Sequence, residues 1–436
     1  MILRTILVAL ALHAGSQSAS FASDTASLPS SRGAATRAAT LAGDSLKLED
    51  ALAMARSANP MLQVARLRAD AAAARVSRAG ALPDLQLSLG LMNRRVGDLG
   101  GTEDPMTKNS LQLMQALPWP GKLGFAEDRA EHLAQAEHWN AVEAEYRLTA
   151  RVKSAYYRLA YMDRALDTMA QTRELLRDFL QVSSAIYSVG SGQQQDVLQA
   201  QVAVAQMTED ITVMQQSRIA MSARLNALLG REPTAAIGVL EAPAAAGELP
   251  SVEGMMELAV EHRPMLRAAR ERVLAAESGY RSARRTNYPD FTVMLEYGQR
   301  PEFNDLASLM VGVSIPVWSG SRALDDEMQA MQLVERANEL DLYNETYAAL
   351  AELRAEAERA RNLADLYSTS ILPQARAAVE SALSAYRVGR VDYMTLLANE
   401  MTVNRYQIES LRLAAEFQSA VAQLEVIVGG QLEGLL

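Results

Sequence analysis

The chain reads twice, and a sequence that repeats one order of landmarks builds two copies of one structural unit. Residues 48 to 90 run LEDALAMARSANPMLQVARLRADAAAARVSRAGALPDLQLSLG, and residues 252 to 298 run VEGMMELAVEHRPMLRAARERVLAAESGYRSARRTNYPDFTVMLEYG. Pro60-Met61-Leu62 matches Pro264-Met265-Leu266, and Pro83-Asp84 matches Pro289-Asp290. LPWPGKL at 117–123 corresponds to IPVWSGS at 315–321, IYSVGSG at 186–192 to AYRVGRV at 385–391, and LLG at 228–230 to IVG at 427–429. Five landmarks in one order are not an accident of composition.

Each repeat, 45–230 and 252–430, predicts a helix, two alternating strands, a very long helix, a tight turn and a second long helix, with 231–251 as linker and 431–436 as tail. The strands are expected near 84–92, 109–117, 290–298 and 308–317. In the first, Leu85, Leu87, Leu89 and Leu91 alternate with Gln86, Ser88 and Gly90. Phe291, Val293, Leu295 and Tyr297 alternate in the third, and Leu309, Val311, Val313, Ile315 and Val317 in the fourth, with Gly312 and Ser314 between them. One face of each strand is therefore apolar. Strands of about 9 to 11 residues cross an outer membrane when tilted. The same alternation suits a soluble sheet, but nothing else in the chain would complete a sandwich over these strands. Four strands cannot close a transmembrane barrel, since bacterial barrels need at least about 8. Strands must then be pooled among copies, and three copies give 4 × 3 = 12 with room for a lumen.

The helices predict a tunnel. From Lys122 to Ser188 there is no proline, and the only glycine, Gly124, lies near the start. Apolar residues at Val152, Tyr156, Leu159, Met162, Leu166, Met169, Leu176 and Leu180 follow at coiled-coil spacing. The partner helix, 196–229, is shorter, and helices near 48–80 and 253–285 would stack end to end with such partners to match the long one.

Residues 1–22 have the charge, short apolar run and small residues of a signal peptide, and the run is too short for a spanning anchor. Residues 23–44, rich in Ser, Ala and Thr, predict a disordered segment. The 436 residues contain no cysteine, which excludes disulfides, thiolate metal sites and a lipidated cysteine. A net charge of −10 gives no basic surface for nucleic acid. No cysteine nucleophile, HExxH, phosphate loop or supported Ser/His/Asp set is present, so no enzyme is expected. His132 and His138 lie on opposite sides of one helix, and the 20 methionines look scattered through helical cores. No cofactor and no metal site is expected.

The duplicated NP/RP, LPD/YPD and VG landmarks resemble the TolC-type outer-membrane efflux family over 45–430. The resemblance implies a mainly α fold with a small β part: long helical hairpins forming a periplasmic α-barrel, and four strands per chain in a trimeric 12-stranded transmembrane β-barrel. It implies an outer-membrane channel with a large periplasmic extension, conducting passively what an inner-membrane pump of the resistance-nodulation-division type delivers through a periplasmic adaptor, a membrane fusion protein. The LPWPGKL segment is similar to the branch serving heavy-metal pumps of the cobalt-zinc-cadmium and copper-silver type. A drug-efflux channel, a type I protein-secretion channel and a periplasmic coiled-coil structural protein are the alternatives.

The resemblance also implies site residues. The turns Val189-Gly190-Ser191 and Val388-Gly389-Arg390 would dock the adaptor, whereas on the residues alone they are helix-reversing turns. Asp196 and Tyr386 match a family pair whose hydrogen bond helps hold the channel shut, and Asp196 would otherwise be a helix N-cap. An arginine found in some members is Val391 here, with Arg390 one place earlier, and Ala398 stands where an acid is frequent. Asp392 is the candidate replacement for that acid. Trp119 and Trp318 suit a membrane-interface girdle, with lipid as their partner.

Overall fold

A computed structural model describes residues 46–94, 104–238, 240, 247–318, 320–387 and 390–432. The predicted signal peptide, the 23–44 segment, Val388, Gly389 and most of the tail lie outside the described residues.

The element order repeats as the sequence requires. The first half gives α1 (Leu48–Ala58), α2 (Pro60–Ala79), β1 (Gln86–Met92), β2 (Lys108–Leu117), α3 (Lys122–Ser188) and α4 (Gln194–Leu228). The second gives α5 (Val252–His262), α6 (Pro264–Arg285), β3 (Asp290–Gln299), β4 (Leu306–Ser314), α7 (Gly320–Leu366), a π-turn (Tyr367–Ile371), α8 (Leu372–Arg387) and α9 (Tyr393–Val428). The linker meets the start of the first half at a parallel bridge between Leu46 and Leu240.

Two expected boundaries are corrected. Each repeat opens with two helices rather than one, because a residue before proline is pushed out of the α region. Asn59 and Arg263 accordingly sit at ψ 121° and 117°. The fourth strand ends at Ser314 rather than 317 because Pro316 has no N–H to give a ladder.

Four rows run the length of the molecule. α3, 67 residues and about 100 Å long, forms one row by itself. Beside it α2 and α4 stack end to end: the Asn59 side chain donates to the Leu228 carbonyl at 2.9 Å and accepts from the Met61 and Leu62 amides. On its other side α6 and α9 form the third row, and α7, the π-turn and α8 run on as the fourth. The π-turn lies just before Pro373, whose missing N–H leaves the preceding turn free to widen.

The repeated LLG and IVG landmarks are joints of this stacking. Gly230 (φ 67°) and Gly429 (φ 76°) end α4 and α9 in the left-handed region. A Cβ on Gly230 would lie 2.9 Å from the Ala58 carbonyl oxygen, and one on Gly429 would lie 2.5 Å from that of His262. The landmarks NP with LLG, and RP with IVG, thus meet in space, one pair per repeat.

α3 is covered on both sides, so it carries two apolar seams rather than one. Val152, Tyr156, Leu159, Met162, Met169 and Leu176 are buried at the predicted spacing, and Ala136, Ala150, Ala155, Ala160 and Ala165 are buried between them. The small residues allow neighbouring rows to approach closely on either flank. Lys153 of α3 and Glu425 of α9 pair at 2.6 Å with both side chains buried, and the Asn404 amide donates to Thr172 Oγ1 at 2.6 Å farther along the same joint. These contacts tie the first repeat to the second.

Each strand continues one row, so the rows set the order of the sheet: β1-β2-β3-β4, antiparallel throughout. The polypeptide crosses from helix to strand at a built corner. Gly121 (φ 87°) precedes α3, and the Asp290 carboxylate accepts from the Trp119 amide at 2.9 Å and from Lys122 Nζ at 2.8 Å. LPWPGKL and YPD are therefore one structural joint.

A buried charge left without its partner is costly, on the order of 3–5 kcal/mol. Lys153→Ala is expected to destabilise the purified protein by about 3 kcal/mol or more in denaturant unfolding, while the double replacement Lys153→Met, Glu425→Leu recovers most of the loss.

Candidate functional site

The sheet has two faces of opposite character. Register places Leu87, Leu113, Leu295 and Leu309 in one cross-strand row, with Leu89, Leu111 and Tyr297 in a neighbouring row and Leu117, Phe291 and Val313 nearer the helices. The opposite face carries Gln86, Ser88, Gly90, Ser110, Gln112, Thr292, Glu296, Ser308, Gly312 and Ser314, together with Ala116, Leu306 and the methionines Met114, Met294 and Met310. Lys108 pairs with Glu296 on this polar face, and Gly298 leaves room for the lysine stem, since a Cβ there would lie 3.1 Å from Lys108 Cδ.

Among the described residues the outer strands β1 and β4 each have one partner only, and β4 is exposed along its whole length. Leu89 is 82% exposed and Leu309 69%. Among the described residues no helix is long and apolar enough to cross a membrane. An apolar face on a sheet whose backbone edges are open demands further strands, because an unpaired backbone group in hydrocarbon costs several kcal/mol.

Aromatic side chains gather where the sheet meets the helices. The Trp119 ring is half-buried, stacked on Tyr288 at 5.2 Å and on Phe291 at 5.9 Å. Trp318, its counterpart in the other repeat, is 84% exposed. The two girdle candidates thus sit in different environments.

The far ends of the helical rows form the second candidate region. At the first turn the Gly190 amide donates to Tyr187 O at 3.0 Å and the Ser191 amide to Ile186 O at 3.1 Å, a Schellman cap with Gly190 at φ 76°. At the second, the Arg390 amide donates to Ala385 O at 2.9 Å, the corresponding bond. Apolar side chains stand open around the first turn: Val182, Tyr187, Val189, Leu198 and Val202 are all exposed, Val189 at 74%.

Asp196 and Tyr386, expected as a hydrogen-bonded pair, lie within range of the carboxylate's charge. Within the chain the carboxylate acts through its charge, and among the described residues no hydrogen bond joins the two. Burial, and then the Asp196 charge, push the Tyr386 phenol above its ordinary value. Asp196 lies in the first turn of α4 and is not its cap; Gln193 is at that position and gives no side-chain bond. The capping acid is Asp392, which accepts from the Thr395 amide at 3.0 Å and from the Thr395 hydroxyl. These bonds hold its carboxyl below the usual range. Its geometry is that of a cap that fixes the start of α9.

Two residues of α9 escaped the sequence reading. Tyr393 is buried edge-on against both Phe179 and Tyr386, each at 6.1 Å, and among the described residues its hydroxyl finds no hydrogen-bond partner. Burial first, then Tyr386 and Asp196, push its phenol up to about 12. Glu400, half-buried on α9, has its carboxyl raised by burial. A tyrosine or glutamate in a helix carries no sequence signal that separates it from a core or surface residue.

The model of a family described as outer membrane efflux protein matches residues 51–231 and 255–430, once per repeat. The fusaric acid resistance protein FusA of Burkholderia cepacia is 27% identical over 281 residues, which are 59% of this chain and 52% of that protein. The pyoverdine export outer membrane protein OpmQ of Pseudomonas putida is 24% identical over 415 residues, 88% of this chain and 86% of that protein. Among solved structures, the outer membrane protein VceC from Vibrio cholerae superposes with a TM-score of 0.75 at 20% identity, over 88% of this chain and 96% of that one. CusC does so with a TM-score of 0.76 at 16% identity, over 88% and 92%.

Unfolded chains ionise Tyr393 near the ordinary phenol value of about 10, below its folded value of about 12. The tip cluster is therefore fully stabilised below about pH 10 and loosens as pH rises toward 12. Alkaline absorbance titration should show one phenol ionising about two units late, and Tyr393→Phe should remove that step alone.

Proposed function

The chain belongs to the outer membrane efflux protein family, and from that premise we propose that three copies close one tunnel, carrying heavy-metal ions from an inner-membrane pump and its periplasmic adaptor to the cell exterior. Family members are channels and not enzymes, and this chain is an outer-membrane efflux channel subunit. The observation that carries the trimer is the four-stranded sheet with an apolar face and two unpaired edges. Joining β1 of one copy to β4 of the next satisfies both edges, and 4 × 3 = 12 strands leave an aqueous lumen. The helical rows then continue the wall into the periplasm, with Trp119 and Trp318 at the periplasmic boundary of the outer membrane.

The tips Val189-Gly190-Ser191 and Val388-Gly389-Arg390 meet the adaptor in this reading. Exposed apolar side chains around Val189 support it, since a monomeric surface rarely leaves such a patch uncovered. Asp196 and Tyr386 bias the closed state: a carboxylate near a half-buried phenol is a contact that a docking partner can break at modest cost. The heavy-metal cargo follows from the resemblance of the LPWPGKL segment. Relatives named for fusaric acid resistance and pyoverdine export favour a second reading, small organic cargo.

An outer-membrane extract run unheated is expected to give a trimer-sized band that collapses on boiling; a monomer before and after boiling overturns the shared barrel. A strain lacking the chain should lose tolerance to heavy-metal salts and keep tolerance to organic acids, and the reverse would select the second cargo. Val189→Trp should abolish that tolerance with the trimer intact. Asp196→Ala should raise single-channel conductance in planar bilayers.

A further inference from the structure

The rung of the sheet next to the all-leucine row has an unexpected composition. Gln86 pairs with Met114, Met114 with Met294, and Met294 with Met310. Three of the protein's methionines thus stand side by side on β2, β3 and β4, on the polar face of the sheet. Their flanking rungs on that face are Gln112, Glu296 and Ser308 on one side and Ala116, Thr292 and Gly312 on the other. Core packing does not account for them, because Met310 is 48% exposed and Met114 and Met294 are only half-buried. Lipid does not account for them either, because the leucine and valine rows of these strands, Leu306 apart, occupy the other face.

We propose that Met114, Met294 and Met310 form a transit site for a soft monovalent cation of the Cu(I) class on the lumenal wall of the β-barrel. The proposal rests on the heavy-metal reading above and narrows it. Adjacent strands lie about 4.8 Å apart, so the outer two methionines are within reach of one ion through side chains with three rotatable bonds each. Thioethers are soft, uncharged ligands that favour Cu(I) over hard divalent ions. The one carboxylate in the neighbouring rung, Glu296, is already paired with Lys108 and does not offer a hard-ion site. The chain has no cysteine, so no thiolate competes. Neutral ligands also suit passage, since conduction needs binding strong enough to enter and weak enough to leave. Each copy holds its own three sulfurs, so the site does not depend on the partner's strands.

Silver nitrate titrated into the detergent-purified full chain, in chloride-free buffer, reads the site as a soft-ion analogue, and X-ray absorption reads its ligands. We expect saturable silver binding with an all-sulfur shell, weakened about tenfold or more in Met114→Leu, Met294→Leu, Met310→Leu, with Met61→Leu on α2 unchanged. Should the triple variant not assemble, Met310→Leu alone, at an exposed position, must still weaken binding. Wild-type binding in either variant overturns the site. Silver tolerance of the cell is scored separately: row-dependent binding without any sensitivity of the deletion strain supports the site and removes the metal cargo, whereas sensitivity with row-independent binding keeps the cargo and removes the site.

Discussion

A sheet with an apolar face and two open edges cannot be left in hydrocarbon, and the rest of this molecule is arranged around that constraint. Among the described residues no strand pairs with the outer sides of β1 and β4, and lipid offers their N–H and C=O groups no partner. A water-soluble sheet would hide the leucine row under a second layer. Here the helices instead run away from the sheet as extensions of its strands, and among the described residues no second layer covers that face.

The extension explains why the helices have their lengths and joints. A row must be continuous to transmit the barrel's geometry to tips about 100 Å away. α3 achieves this as one helix, and the fourth row does so with a π-turn ahead of Pro373. The other two rows are spliced from two helices each, which demands a joint where one helix ends against the start of another. Asn59 and Gly230 make one joint, Arg263 and Gly429 the other, with backbone approaches that leave no space for a Cβ. The Lys153–Glu425 pair then fastens the repeats along their shared flank.

Much of this was legible because duplication and alternation are properties of sequence order. The bounds of α3 and the end of β2 follow directly from Pro120, Gly121 and Ser188, and the two strand pairs from the period of their leucines and valines. Pairings across sequence were not legible: that Asn59 bonds Leu228, that Asp290 holds the Trp119 corner, or that Tyr393 packs between Phe179 and Tyr386. Asn59–Pro60 stands out as a landmark, and proline's effect on its predecessor predicts a helix break there, whereas periodicity alone carries one helix through it. The methionines show the difference most clearly. Counted along the chain they look like core filler, and only strand register brings three of them onto one rung of the polar face.

The central claim is that separate copies join edge to edge. Single cysteines can be introduced on β1 between Gln86 and Met92 and paired with a cysteine at Gly312 of β4 in a chain that otherwise has none. Within one chain these edges are three strand spacings apart, roughly 14 Å, beyond the reach of a disulfide at a Cα separation of about 7 Å. The account predicts that at one or two β1 positions oxidation gives covalent dimers and trimers that survive boiling without reductant. A complete absence of intermolecular crosslinks across the β1 scan, in protein recovered from the outer membrane, would contradict it.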